Sequence, residues 1–174
     1  ALNVAVVTNE AYVSGTVYTT GLVVWALMND TEGDGTNTFG ATAESGASAG
    51  NVGVAGSFAL NTSVTTTTAY MTGINLNVGG GDVAVNAAGK TDSTAEASPN
   101  APEEGGDPGA GAGVGVGASA AVNVAVNSVS AEIRKSPYGT NLIDAGNLAV
   151  SASGDHTASA TAKTGAKGET AGIA

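Results

Sequence analysis

Residues 111–133 read GAGVGVGASAAVNVAVNSVSAEI, and from Val114 to Val126 every even position carries alanine or valine. The odd positions between them carry glycine, serine, alanine or asparagine. Side chains two residues apart lie on the same face of a β-strand, so this alternation predicts a strand with one apolar face. The parity changes after Val126, because the next valine, Val129, falls on an odd position. A one-residue slip exchanges the faces of a strand, so we expect a corner, bulge or tight turn near residues 127–128.

The end of this stretch has two earlier copies that align with it without gaps. Residues 1–13 read ALNVAVVTNEAYV and residues 59–71 read ALNTSVTTTTAYM, and both match residues 121–133 at alanine, asparagine and valine. The parity change recurs in each copy, which predicts the same corner at residues 7–8 and 65–66. The aligned positions are Ala1, Ala59 and Ala121, then Asn3, Asn61 and Asn123, then Val6, Val64 and Val126.

A second block follows each copy. Residues 82–97, DVAVNAAGKTDSTAEA, align with residues 147–162, NLAVSASGDHTASATA, and GLVVWAL at residues 21–27 occupies the same place in the first copy. Repetition with a period of about 60 residues is typical of arrays in which each unit stacks on its neighbour. The final ETAGIA resembles the approach to a further copy, so we expect a window in a longer array. We therefore predict that residues 1–174 form a single repeat array, made of 1–58, 59–120 and a truncated 121–174.

The composition agrees with a β-fold built from small side chains. The 174 residues are 42% hydrophobic but only 4% aromatic and 11% charged, with 27 glycines and a mean hydropathy of +0.13. Disordered chains combine low hydrophobicity with high charge, so this chain should fold. Because its apolar residues are mostly alanine and valine, we expect an all-β structure with a thin, regular core.

The charge and the lack of cysteine exclude several functions. Fifteen acidic residues against five basic ones give a net charge of −10, so nucleic acid and anionic membranes are poor partners. Without cysteine the chain has no disulfide framework, thiolate metal site or cysteine nucleophile. No uninterrupted apolar stretch reaches about eighteen residues, so we expect no membrane insertion.

Two architectures fit the repeated short strands. A β-solenoid, similar to a parallel β-helix, would stack about three coils of about 60 residues and align like residues in ladders. The alternative is a β-sandwich of the pilin type, in which an extended strand from a neighbouring subunit completes an open groove. Residues 1–7, ALNVAVV, would then be the donor strand of a filament subunit. The solenoid is favoured because the repeat covers nearly the whole chain, and a sandwich does not require a repeat.

The repeats resemble those of very large bacterial cell-surface and secreted proteins of the β-strand-repeat or adhesin-like kind. The likeness is carried by residues 111–133 and, after a glycine turn, by AGNLAVSASGDHTASATAKTGA at residues 145–166. Residues 1–48 match less well, because Trp25, Met28 and an acidic segment depart from the pattern. The resemblance implies an extracellular or cell-surface fibre, stalk or adhesin segment without catalytic residues. We expect it to associate with copies of itself or with adjacent repeats through strand edges, and surface carbohydrate is a further candidate partner.

The chain offers little catalytic chemistry. His156 is the only histidine and lies beside Asp155, but one adjacent pair does not assemble a nucleophile, a base and an orienting group, so we expect no enzyme. Four threonines at residues 65–68 are compatible with a row of hydroxyls that binds ice or carbohydrate. Their aligned residues are mostly not threonine, so we interpret them as strand formers. Asn61 begins a formal glycosylation sequon, but its repeated position predicts a ladder of side chains.

One acidic segment has the spacing of a metal loop. Asp30, Glu32 and Asp34 alternate within NDTEGDGTN at residues 29–37, and carboxylates at alternate positions before glycine can direct several oxygens at Ca²⁺. The match is partial, because the twelfth position counted from Asp30 is Ala41 rather than a bidentate glutamate. Acidic glycine-rich turns also keep β-proteins soluble, so a calcium site and a plain surface loop are both open.

We predict that Ca²⁺ binds Asp30, Glu32 and Asp34 and raises the midpoint of thermal unfolding, because the cation neutralises three carboxylates that repel one another. Melting curves with excess calcium and then with a chelator measure the shift. The double substitution Asp30→Asn with Asp34→Asn should abolish it. An unchanged midpoint, or equal shifts in both chains, would identify the segment as a solubilising turn.

Overall fold

The computed structural model describes residues 1–28, 35–46, 52–99, 114–135, 141–164 and 171–173. In these residues the chain is all-β, as the composition predicts, and contains no helix. The strands are β1 (Leu2–Tyr18), β2 (Leu22–Leu27), β3 (Asn37–Ser45), β4 (Val52–Asn77), β5 (Val83–Pro99), β6 (Val114–Arg134), β7 (Leu142–Asp144), β8 (Leu148–Ala162) and β9 (Ala171–Ile173).

The strands form two parallel sheets. Sheet 1 has the order β1-β4-β6-β9, and the short β7 continues beside the end of β4. In sheet 2, β2 and β3 lie end to end along one side of β5, and β8 pairs with its other side. The chain alternates between the two sheets. When it comes back to a sheet, the new strand pairs in parallel with a strand that the chain placed there earlier, as β4 does with β1 and β6 with β4. Every strand pair in the described ranges is parallel.

The register confirms the repeat alignment read from the sequence. In sheet 1 Asn3 lies opposite Asn61 and Asn61 opposite Asn123, as the three copies predict. In sheet 2 the second blocks pair as aligned, with Val83 between Leu22 and Leu148. Residues 171–173, AGI, pair in parallel with residues 114–116, VGV, of the earlier approach.

The predicted corner at the change of parity is wrong. β1, β4 and β6 continue through residues 7–8, 65–66 and 127–128 without a break or a shift of register. On β4 the same parity stays buried from Ala59 to Met71. Since the backbone does not change faces, the apolar residues do. They point outward in the first half of the repeat and inward in the second half.

A real irregularity occurs further along these strands. The register between β1 and β4 shifts between Ser14 and Gly15, where Gly73 is the extra residue on β4. Gly15 and Gly73 have φ of 92° and 57°, which is left-handed backbone that glycine adopts without strain. After this bulge the buried positions of β4 become even, beginning with Ile74.

The interior between the sheets changes character along the strands. Near the turn from β4 to β5 it is apolar, and Met71, Ile74 and Val85 are at most 1% exposed. Toward the start of β4 it is built from small and polar side chains. The residues of this second part that are buried on β4 and β5 are Ala59, Asn61, Ser63, Thr65, Thr67, Thr91, Ser93, Ala95 and Ala97.

Hydrogen bonds along and across the sheets connect the polar side chains of the interior. The Asn3 Nδ2 group donates to Asn61 Oδ1 at 2.7 Å, and Asn61 Nδ2 donates to Asn123 Oδ1 at 3.0 Å. Asn61 Nδ2 also donates to Ser93 Oγ, on the facing sheet, at 2.8 Å. The predicted asparagine ladder is therefore confirmed, and it also ties the two sheets together.

The segments GGGD at residues 79–82 and DAGN at residues 144–147 predict turns before the second block, and the structure confirms both. Gly79 and Gly80 have φ of 58° and 84°, so left-handed backbone carries the chain from sheet 1 to sheet 2. A Cβ on Gly81 would collide with the carbonyl oxygen of Thr20, at the equivalent turn of the preceding repeat. Gly146 occupies the same place in the following repeat, where its N–H donates to the Gly81 carbonyl at 2.9 Å.

We predict that Asn61→Ala lowers the free energy of unfolding by about 1–3 kcal/mol, because it leaves buried amide and hydroxyl groups of its neighbours without partners. The matched control is Asn75→Ala, since Asn75 lies on the same strand but is exposed. That change should stay within about 0.5 kcal/mol. Urea unfolding followed by circular dichroism measures both, and equal losses would contradict a structural role for the ladder.

Candidate self-association surfaces

The predicted calcium ligands Asp30, Glu32 and Asp34 lie outside the described residues. In the ranges that the structure does describe, no three acidic or histidine side chains come together as a metal site. The same ranges hold no helix that is long and apolar enough to cross a membrane.

The threonines at residues 65–68 do not form an exposed row. Thr65 and Thr67 point into the interior, where they are 3% and 1% exposed. The Thr65 hydroxyl donates to Asn127 Oδ1 at 2.6 Å, and the Thr67 hydroxyl donates to Met28 Sδ at 2.8 Å. Thr65 and Thr67 therefore belong to the polar interior, whereas Thr66 and Thr68 lie on the opposite face, so the four threonines do not form one row.

His156 is hydrogen-bonded to the neighbouring strand of sheet 2. His156 Nδ1 lies 2.8 Å from the Thr91 hydroxyl, with which it shares a hydrogen bond. Asp155 immediately precedes His156 on the same strand, so its side chain points to the opposite face. The pair that is adjacent in sequence therefore does not converge on one site.

The outer strands leave backbone groups open at both ends of the stack. Among the described residues β1 has β4 as its neighbour on one side and none on the other. The N–H of Leu60 donates to the carbonyl of Ala1 at 2.9 Å, so odd residues of β1 face β4 and even residues face the open edge. β1 contains neither proline nor lysine, the residues that usually blunt such edges. On the opposite side, β8 pairs with β5 and has no second neighbour within the described ranges.

The outer face of sheet 1 carries a patch that the periodicity alone did not identify. We call it the apolar grid: three residues from each of β1, β4 and β6, arranged in three rows across the strands. Eight of the nine are aliphatic, and the ninth, at the centre, is Thr62. The rows are Leu2, Leu60 and Val122, then Val4, Thr62 and Val124, then Val6, Val64 and Val126.

A signal for this patch is present in the sequence. The asparagine ladder was predicted on odd positions as a structural feature, and the valines of the same stretch occupy even positions. Because neighbouring positions face opposite ways, an inward Asn123 requires an outward Val122 and Val124. The usual expectation that apolar residues face the core predicts the opposite orientation for these valines.

Further along the same face, ionic and aromatic groups replace the valines. The rings of Tyr12 and Tyr70 stack with centroids 5.3 Å apart and planes inclined by 11°. The guanidinium of Arg134 lies 3.6 Å from the centroid of the Tyr70 ring, and its Nε–H donates to Glu132 Oε2 at 2.9 Å. Desolvation raises the pKa of Tyr70, and a hydrogen bond to Glu10 raises it further.

The hydrogen bond from Arg134 lowers the pKa of Glu132. Because the pKa of Glu132 is lowered by folding, this hydrogen bond stabilises the fold above the pKa of Glu132 in the unfolded chain. The stabilisation is lost as the pH falls through the pKa of Glu132 in the folded chain. This end of the face is polar and charged, whereas the apolar grid contains no charge.

Comparison with models of known protein families, with curated proteins and with solved structures finds no match to this chain.

We predict that Glu10→Gln lowers the pKa of Tyr70 toward its usual value of 10.0, because the substitution removes a charged acceptor from the phenol. Because folding raises the pKa of Tyr70, its protonated phenol favours the folded state. This contribution to stability is fully present below the pKa of Tyr70 in the unfolded chain and is lost as the pH rises through its pKa in the folded chain. Ultraviolet titration of each chain, with its Tyr70→Phe counterpart subtracted, isolates this tyrosine. An identical titration in both chains would contradict the contact.

Proposed function

We propose that this chain is a structural, non-enzymatic segment of an elongated extracellular fibre, stalk or surface adhesin. Its architecture would be a two-sheet parallel β-solenoid that associates with further coils or copies through its open strand edges. The observation that carries the proposal is the register of sheet 1, where each copy pairs with the next through equivalent residues.

The pairing supports stacking as the means of extension. Like residues lie on like residues, so one more copy of the repeat can continue the same ladders, including the asparagine ladder. Each coil adds about 4.8 Å along the stacking axis, whereas the 26 residues of β4 extend about 85 Å across it. Three coils thus make a thin blade, and a long fibre requires many coils or many copies.

The parallel pairing also favours the solenoid over the pilin alternative. Sandwiches of the immunoglobulin type are built from antiparallel sheets, whereas the described strands pair in parallel. Residues 2–7, the main part of the proposed donor strand, already pair with residues 60–65 of the same chain. A strand that is occupied in its own subunit is not available for donation.

The proposed location and partners follow from composition. Low charge and small side chains allow close stacking, and the lack of cysteine is compatible with many exported bacterial proteins. The resemblance to giant cell-surface repeats supports the same location. A binding role toward surface carbohydrate is a further candidate, although no side-chain arrangement in the described part of the chain specifically favours it.

We predict that Thr8→Pro reduces end-to-end association, because Thr8 is an even residue of β1 whose N–H faces the open edge, and proline cannot donate there. The internal ladder to β4 should survive, since its bonds come from odd residues. Thr8→Ala is the matched control, because it changes the side chain and keeps the N–H. Electron microscopy at high concentration should show filaments for the native and control chains, and short particles for Thr8→Pro.

Filaments of equal length in all three chains would contradict edge association. Removal of residues 1–7 provides a second comparison: a donor-strand pilin should stop polymerising, whereas a stacked solenoid should associate more weakly. Native chains that remain monodisperse monomers at high concentration would count against both assembly modes.

A further inference from the structure

We infer that two copies of this chain pair side by side through the apolar grid on the outer face of sheet 1. This contact is distinct from the edge association proposed above and does not rest on it. It joins faces rather than backbone edges, and it would hold two stacks together laterally.

The exposed area is sufficient for a stable dimer. Within the grid, Leu2, Val4 and Val6 are 69%, 64% and 71% exposed, and three valines of β6 are 42% to 53% exposed. With the adjoining Val54 and Phe58, these side chains present on the order of 800 Å² per copy, which equals the share of one partner in a standard interface. Monomeric proteins rarely expose a contiguous apolar patch of this size.

The interior beneath the grid makes its exposure unusual. A sheet with one wet face normally has apolar residues inward and polar residues outward. Here Asn61, Ser63 and Thr65 are buried under the grid while valines and leucines lie on the outside. In this half of the repeat the usual placement of polar and apolar side chains is therefore reversed. A second apolar layer against the grid would bury the apolar side chains, as in an ordinary sheet.

A second copy fits this surface better than a lipid bilayer does. The grid repeats about every 4.8 Å across the strands and about every 6.8 Å along them, so an identical face can interdigitate with it. Such a contact is self-complementary and closes with two-fold symmetry. The net charge of −10 disfavours anionic membranes, and no basic residue lies in the grid to hold phosphate headgroups.

The charged end of the face indicates how the two copies are oriented. Glu10 and Glu132 lie on the same outer face beyond the grid, on one side of it along the strands. If strands of the two copies ran in the same direction, these carboxylates would face each other. An antiparallel arrangement keeps them apart and brings the two Thr62 side chains together at the centre, where each hydroxyl can bond the other.

The test compares Val64→Lys with Val23→Lys, both in a chain that already carries Thr8→Pro to suppress edge association. Val64 lies on the central strand of the grid, whereas Val23 is an exposed valine on the outer face of sheet 2. Sedimentation velocity should show dimers for the parent and for Val23→Lys. Val64→Lys should weaken dimerisation by roughly a hundredfold, because two lysines must lose water on pairing. Circular dichroism confirms that both variants are folded.

Single cysteines locate the contact, since the native chain has none. Thr62→Cys at the centre of the grid should form a disulfide-linked dimer under mild oxidation. Thr94→Cys, on the outer face of sheet 2, is the matched control and should not. Monomers at high concentration, equal cross-linking of both thiols, or equal effects of the two lysine substitutions would each overturn the proposal. Flotation with phosphatidylcholine vesicles that Val64→Lys abolishes, without dimers, would also overturn it in favour of a lipid surface.

Discussion

The hydrogen-bonded ladder of Asn3, Asn61 and Asn123 is the interaction on which the arrangement of this chain depends. An amide side chain buried between sheets must find both donors and acceptors, and equivalent asparagines on the neighbouring strands supply them. A shift of one residue would turn these amides outward and bury valines against Ser93. The ladder therefore fixes the register of the strands and, with it, which side chains reach the surface.

With this register, the interior between the sheets differs between the two ends of the strands. Near the turn into β5, the interior is apolar and holds the larger side chains, such as Met71 and Leu76. Away from the turn, small alanines and hydrogen-bonded hydroxyls fill the space, which suits two sheets that lie close together. The apolar end contributes burial, while the polar end contributes specificity, because few alternative pairings satisfy all of its groups.

The two proposed modes of association use perpendicular directions of the same stack. Edge pairing would extend it by backbone hydrogen bonds, which any sequence can make, and the repeated ladders would add selectivity for a related repeat. Face pairing would join two copies sideways through side chains, and its specificity would come from the shape of the grid. Both proposals start from the described arrangement of two parallel sheets, in which the outer strands keep unpaired backbone groups and one outer face keeps exposed apolar side chains.

Much of this fold could be predicted from the sequence. The repeat alignment, the strand character, the turns at residues 79–82 and 144–147 and the asparagine ladder all agree with the structure. This agreement has a simple origin. In parallel stacking, equivalent positions of successive repeats become direct neighbours, so aligning the copies is the same operation as assigning the register.

The inward face of each strand was decided only by tertiary structure. An alternation of valine with asparagine or serine is symmetric, and the local sequence does not say which set will be buried. The choice depends on the facing sheet, where Ser93 and Thr91 offer partners to Asn61 and Asn127. Because these polar partners face the asparagines, burying the asparagines and exposing the valines is favourable. The partners lie about thirty residues away along the chain, so no single strand contains this information.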